Sequence, residues 1–269
     1  MKSRALIKFL VVAILATSAA PALAAGEVDK NGRLSGNWSG YVASRDTYTG
    51  VGASWVVPAV LATTTLMSDV TWVGIGGSKT KDLIQAGTHG AVQNGKAQYW
   101  AWYELLPAYQ VVIPVVINPG DTVEVSLAEI ARDLWYLSFE NKTTGQNYYK
   151  ALEYRSKHGT AEWIEEMPNV YDKNGTRMYA PLSEFGSTTF MGAYAIVNGE
   201  RRNLSDIHAS AVSMVAKNNK KLVLAAPSEI APDSSFVVMR SGAVPSPISR
   251  ENTKRFRASS YEISWSIVK

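Results

Sequence analysis

Glu162 lies in the stretch Thr160-Ala161-Glu162-Trp163-Ile164-Glu165-Glu166, whose alternation reads as a β-strand. Glu162 then shares a face with Thr160 and Ile164, while Ala161, Trp163 and Glu165 face the other way. A solvated sheet face would account for such a carboxylate without any chemistry. Glu104 is harder to account for in that way. In Gln98-Tyr99-Trp100-Ala101-Trp102-Tyr103-Glu104 regular alternation puts Trp100, Trp102 and Glu104 on one face, a carboxylate beside two indoles. Aromatic walls desolvate an acid and raise its pKa, which makes a glutamate useful as a proton donor or base. Gln85 interrupts the apolar run Leu83-Ile84-Gln85-Ala86-Gly87, and a buried amide is either hydrogen-bonded structurally or reserved for a ligand. In Val70-Thr71-Trp72-Val73-Gly74-Ile75-Gly76-Gly77, Trp72 stands in line with Gly74 and Gly76, glycines that leave the backbone open to close approach.

The elements that position these residues are short strands separated by turn signals, with almost no helical periodicity from Asn37 onward. Strands are expected at Trp38 to Val42, Gly52 to Val57, Val70 to Ile75, Leu83 to Gly87, Gln98 to Glu104 and Val111 to Val116. They continue at Thr122 to Ile130, Trp135 to Glu140, Thr160 to Glu166, Ser187 to Met191, Ala211 to Val215 and Ser235 to Met239. Asn94-Gly95, Asn174-Gly175 and Asn198-Gly199 suit tight hairpins, and Pro119-Gly120-Asp121 breaks the chain before a strand. About a dozen strands at this spacing predict an all-β fold, a two-sheet sandwich.

Several of these segments together resemble one family. Asn37-Trp38-Ser39-Gly40-Tyr41, Trp55-Val56-Val57-Pro58, Trp72-Val73-Gly74-Ile75, Leu83-Ile84-Gln85-Ala86-Gly87, Trp102-Tyr103-Glu104 and Ala161-Glu162-Trp163-Ile164 follow the order found in the glutamic peptidases, or eqolisins. The resemblance implies a concanavalin-like sandwich of two curved antiparallel sheets with a substrate groove on the concave face. It implies an endopeptidase whose catalytic residues are Glu162 and Gln85, with Trp72, Trp102 and Glu104 at substrate-binding positions. No metal, cofactor or acyl intermediate is required, the partners are protein or peptide substrates, and an acidic, pepstatin-insensitive activity is expected. Fungal members carry Asp where Gly76 stands and an aromatic residue where Leu106 stands. They also carry a long pro-segment and often disulfides, so the lack of cysteine here fits a bacterial-type member better.

The first 24 residues carry Lys2, Arg4 and Lys8, the apolar run Phe9 to Ala16 and a small-x-small site at Ala22-Leu23-Ala24, the pattern of a secretory signal peptide. Residues 25–33 read as a flexible leader, 34–240 as one peptidase domain and 241–269 as an extension without a readable role. Loss of the signal peptide takes the formal net charge from +4 to about +1. Nucleic-acid binding is therefore not expected, and no later stretch is apolar enough to anchor the chain in a membrane. A secreted monomer is the expectation. There are no cysteines, and the dispersed His89, His158 and His208 read as loop or surface residues rather than zinc ligands. Two other functions fit the same residues. Glu104 and Glu162 could serve a glycoside hydrolase as a carboxylate pair, or the tryptophans could be the sugar platforms of a lectin-like sandwich. Gln85 discriminates, because glycoside hydrolysis gives it no obvious role.

Overall fold

The computed structural model describes residues 32–61, 66–171 and 176–242. The expected signal peptide, the leader before residue 32, the Asn174-Gly175 turn and residues 243–269 lie outside them. In chain order the strands are β1 (Arg33–Ser35), β2 (Trp38–Ala43), β3 (Tyr48–Val56), β4 (Met67–Gly76), β5 (Leu83–Gln93) and β6 (Lys96–Leu105). Next come β7 (Val111–Ile113), β8 (Thr122–Ala131), β9 (Leu134–Asn141), β10 (Asn147–Glu153), β11 (Ala161–Glu166) and β12 (Asn169–Tyr171). The chain ends with β13 (Arg177–Tyr179), β14 (Ser187–Val197), β15 (Glu200–Asn203), β16 (Ala209–Ala216), β17 (Asn219–Pro227) and β18 (Phe236–Arg240). One 3-10 turn, Leu204–Asp206, precedes β16.

Hydrogen bonding runs continuously through β10-β9-β8-β3-β14-β18-β17-β16-β2-β11-β4-β5-β6-β7, and all these pairings are antiparallel. β1 is added parallel to β16. The ribbon folds back on itself, so that β3, β8 and β14 of one layer pack on β4, β5 and β11 of the other. Between the layers lie Trp55, Trp163, Phe139, Phe190 and Phe236, each at most 2% exposed. Two indoles join the layers by hydrogen bonds as well as by area. Trp55 donates from Nε1 to Thr88 Oγ1 at 2.9 Å, and Trp163 donates to the Gly52 carbonyl at 3.1 Å. Each indole thus buries a large apolar body while its one polar atom is satisfied.

Differences from the expected elements have local causes. β5 runs on to Gln93 because Gly87 and Gly90 are sites of close approach inside a strand rather than its end. β7 stops at Ile113 because Pro114 has no N–H to give a ladder. Arg33, expected in a flexible leader, opens β1 and donates to Ser78 Oγ at 3.0 Å. The Asn94-Gly95 and Asn198-Gly199 pairs form hairpin turns with both residues at positive φ, 52° and 74° in the first and 51° and 84° in the second.

Trp55→Ala should lower the unfolding free energy by ~3–5 kcal/mol, since it opens a cavity against Phe190 and leaves the Thr88 hydroxyl unpartnered. The check is a urea titration followed by far-UV circular dichroism, and a loss under about 1 kcal/mol would contradict the packing described.

Candidate active site

β11 is central in its layer, flanked by β2 and β4, and its residues alternate between the two faces. Ala161, Trp163 and Glu165 point between the layers, whereas Glu162, Ile164 and Glu166 point to the opposite face. Register then fixes their neighbours. Val42, Glu162, Gly74, Gln85 and Glu104 form one row across β2, β11, β4, β5 and β6. The next row is Gly40, Ile164, Trp72, Gly87 and Trp102, and the third is Trp38, Glu166, Val70, His89 and Trp100. All five residues singled out from the sequence, Glu162, Gln85, Trp72, Trp102 and Glu104, therefore share one face and two adjacent rows.

Glu162 and Gln85 stand two strands apart, about 9.6 Å between backbones, with Gly74 between them. The missing side chain matters. A Cβ on Gly74 would lie 2.9 Å from Trp72 Cζ3 and 3.1 Å from Gln85 Cβ, so the glycine lets the indole lean into the space between Glu162 and Gln85. Gln85 is oriented by chemistry: Glu104 Oε2 lies 2.7 Å from its nitrogen and, when ionised, can only accept. An amide nitrogen carries two N–H groups, and Glu104 engages one. Gln85 Oε1, Trp102 Nε1 and both carboxylate oxygens of Glu162 are buried without a protein partner in hydrogen-bond geometry.

The solvated sheet face that could have explained Glu162 is not what surrounds it. The residue is 0% exposed, covered by Val42, Trp72, Ile164 and neighbouring apolar groups of this face. Burial drives its pKa well above the usual carboxylate range, with the Asp82 charge adding to the rise. The Thr160 hydroxyl, the Arg33 charge and the Ser78 N–H act against that rise. Glu104 is also raised, chiefly by burial and against the Gln85 hydrogen bond.

Two members of this face were not picked out by sequence reading. Glu166 accepts from Trp72 Nε1 and from Asn37 Nδ2, each at 2.8 Å, and burial pushes it up to about 7. Its partners lie 94 and 129 residues away in sequence, so no local pattern could have shown them. His89, expected on a loop or surface, is buried in β5 with its ring on Trp100 and Nε2 2.5 Å from Ser68 Oγ. Burial lowers its pKa to about 3, so it is neutral. Gly76 is more than an absent aspartate. Its φ is +97°, and a Cβ there would stand 2.2 Å from the Asp82 carbonyl oxygen. The Asp82 carboxylate occupies the vicinity instead, held by the Lys157 N–H at 2.7 Å and the Ser156 hydroxyl at 3.1 Å.

The peptidase A4 family profile matches residues 36–239. The chain belongs to the peptidase A4 family. Its members are the glutamic peptidases, or eqolisins, and this chain is a hydrolase of peptide bonds. Aspergillopepsin-2 of Aspergillus niger is 28% identical over 201 residues, covering 65% of this chain and 70% of that protein. Scytalidopepsin B of Scytalidium lignicola is 25% identical over 199 residues, 71% and 74% of the two chains. In fold, the family member resembles scytalido-glutamic peptidase in complex with a peptide-based transition-state analogue, with a TM-score of 0.66 and 23% identity over 77% of this chain and 98% of that one. Aspergilloglutamic peptidase from Aspergillus niger gives a TM-score of 0.54 and 26% identity over 65% of this chain and 99% of that one. The two-sheet sandwich expected from the strand pattern is the fold of this family member.

The state of Glu162 has a measurable consequence for stability. A carboxyl whose pKa is raised by folding keeps a proton that the unfolded chain releases above about pH 4. Its contribution is complete below that pH and is lost as the pH rises towards the folded value. Glu162→Gln cannot titrate, so it should gain on the wild type by up to about 1.4 kcal/mol for each pH unit above about 4.5. Urea midpoints from pH 4 to 7 test this; a constant difference would show that Glu162 ionises freely in the folded chain.

Proposed function

We propose that the peptidase works through Glu162 and Gln85 as a dyad acting on a water molecule, in an exported protein at acidic pH. The observation that carries this reading is the row Glu162, Gly74, Gln85, Glu104, in which a carboxylate and an amide face each other across a glycine with polar atoms left unpaired. Ionised Glu162 takes a proton from water as the oxygen attacks the peptide carbonyl, then passes it to the leaving nitrogen. The N–H of Gln85 not engaged by Glu104 stabilises the oxyanion as charge develops, a contribution that can reach ~3–4 kcal/mol. Glu104 is a positioning residue for that amide. Trp72 and Trp102 form the apolar floor on which the peptide lies.

Burial and catalysis make opposite demands on Glu162. Closed to solvent, it holds its proton; as a base it must be ionised. The β4–β5 connection, residues 77–82, passes over this end of the face, tied down by Lys79 Nζ to the Ser44 carbonyl at 2.6 Å and by Arg33 to Ser78. Lifting it to admit water and substrate restores solvation to Glu162 and brings its pKa back towards the ordinary value of about 4.3. The glycosidase alternative is disfavoured by the row itself, because Glu104 and Glu162 are three strands apart and the amide of Gln85 lies against Glu104. The expected signal peptide supports export, and an acidic medium suits a face whose carboxyls Glu104, Glu162 and Glu166 all bind protons more tightly than usual.

The test is cleavage of an unfolded protein between pH 2 and 7, with pepstatin and a chelator present. Glu162→Gln should reduce kcat by about 10²–10⁴-fold and Gln85→Ala by about 10²–10³-fold, with both variants folded. Wild-type activity should survive both inhibitors. Undiminished cleavage by Glu162→Gln would assign the chemistry to another residue.

A further inference from the structure

The inner face of β11 carries a carboxylate that the proposed chemistry does not use. Glu165 is 0% exposed between the layers. Its Oε2 accepts two hydroxyl hydrogen bonds, from Thr71 on β4 at 2.8 Å and from Thr188 on β14 at 2.9 Å, so it ties the two layers together. Its Oε1 meets no N–H or hydroxyl donor. Diagonally across the β4–β11 ladder stands a second carboxyl, Asp69, two residues before the Thr71 that lies opposite Glu165 and on the same face; it is 1% exposed and takes the hydroxyl of Ser183. Two acceptor-only groups meeting in a dry interior can be joined only by a proton.

The surroundings supply little else to neutralise a second charge. β5 contributes Thr88, already committed to Trp55, and Gly90, which has no side chain to offer Asp69. β2 contributes Ser39, which sits opposite Glu165. From β18, Arg240 donates to the Ser183 carbonyl at 2.6 Å and pairs with Glu184 at 2.7 Å, so its charge is engaged elsewhere. On the opposite face of β11 stand the carboxyls of Glu162 and Glu166.

We propose that Asp69 and Glu165, neighbours within one layer whose bond to Thr188 reaches the other, form a proton-sharing clasp that keeps the peptidase folded in acid and unfolds it as its medium turns neutral to alkaline. Burial, the leading cause, pushes Asp69 up to about 7 and Glu165 well above the usual carboxylate range, and the negative neighbour adds to the rise at Glu165. The two protons belong to the pair rather than to either residue alone. Both folded values exceed the unfolded ones, so the clasp's contribution is complete below about pH 4 and is lost as the pH rises through about 7 and beyond. In that interval the folding equilibrium constant falls about tenfold per pH unit for each retained proton, up to a hundredfold for the pair.

The test compares wild type with Asp69→Asn/Glu165→Gln, whose amides keep the shape and hydrogen bonds but do not titrate. Urea midpoints are measured from pH 4 to 8.5, and the contributions of Glu162 and Glu166, common to both proteins, cancel. The variant should gain on the wild type by about ten- to a hundredfold in folding constant per pH unit between pH 4.5 and 7. After incubation at pH 8, activity recovered at acidic pH should persist at least about tenfold longer in the variant. Parallel stability curves, or equal survival at pH 8, would overturn the proposal. Should the double variant fail to fold, Glu165→Gln alone, able to donate to Asp69, should remove about a tenfold dependence per pH unit. In the wild type the infrared carbonyl band of protonated carboxyls should persist at pH 6, and it should weaken in Glu165→Gln. A band unchanged by that substitution would equally count against the clasp.

Discussion

Covering a strand on both faces cuts its ionisable groups off from bulk water, and in β11 this leaves two of its three glutamates, Glu162 and Glu165, fully buried and Glu166 half-buried. Desolvation is the leading cause of the raised pKa at all three, so what distinguishes them is the company each keeps. Glu166 receives an indole and an amide N–H and rises only to about 7. Glu165 receives two hydroxyls but stands beside Asp69, whose negative charge raises it more than either hydroxyl lowers it. Glu162 has no bond in good geometry and stays strongly raised. A partner-free buried carboxyl is costly to ionise and therefore ready to change state when water or a substrate arrives.

The site is set on the sheet lattice rather than on loops. Strand spacing fixes the separation of Glu162 and Gln85, while register decides which rows hold large side chains and which hold glycine. Gly74 separates the two polar residues, and Trp72 leans into the opening that it leaves. Trp72 is itself steered by its hydrogen bond to Glu166 and by an edge-on contact with Trp38, whose ring centroid lies 5.1 Å away. A change at Glu166 would thus reach the floor beneath Glu162 without touching it.

Alternation made the faces legible in the sequence. That Trp100, Trp102 and Glu104 point one way and Trp163 and Glu165 the other follows from period two alone, and the Asn-Gly pairs marked hairpins because both positions need positive φ. Burial was not legible to the same degree. Glu162 and His89 look like ordinary polar residues in a one-dimensional pattern, and what dries them comes from strands far away in the chain. Gly76 read as a lost side chain, but its positive φ and the nearby Asp82 carbonyl are consequences of how residues 77–82 return to β5. β10 escaped notice because one face is largely exposed, and β17 because it opens on the exposed Asn219, Lys220 and Lys221 before its apolar run, both of which blur the apolar signal. The Asp69–Glu165 contact was beyond reach for the same reason as the Thr188 bond: register between separate hairpins brings these residues together, and no spacing within a hairpin encodes it.

The two faces of β11 set different limits on the same variable. In the proposed mechanism a proton must leave Glu162 before it acts as a base, and in an opened, hydrated site that happens near the ordinary carboxylate value of about 4.3. On the core side, the proposed clasp needs Asp69 and Glu165 to keep protons so that the carboxylate reaching Thr188 does not face a second anion, and burial pushes Asp69 up to about 7. Together the two proposals give the peptidase a working interval bounded below by the chemistry of Glu162 and above by the electrostatics of its core. Moving the lower bound requires changing the solvation of Glu162, whereas moving the upper bound requires changes on the other side of the sheet. Because successive residues of one strand serve the two faces, each bound can be altered with little direct contact with the other.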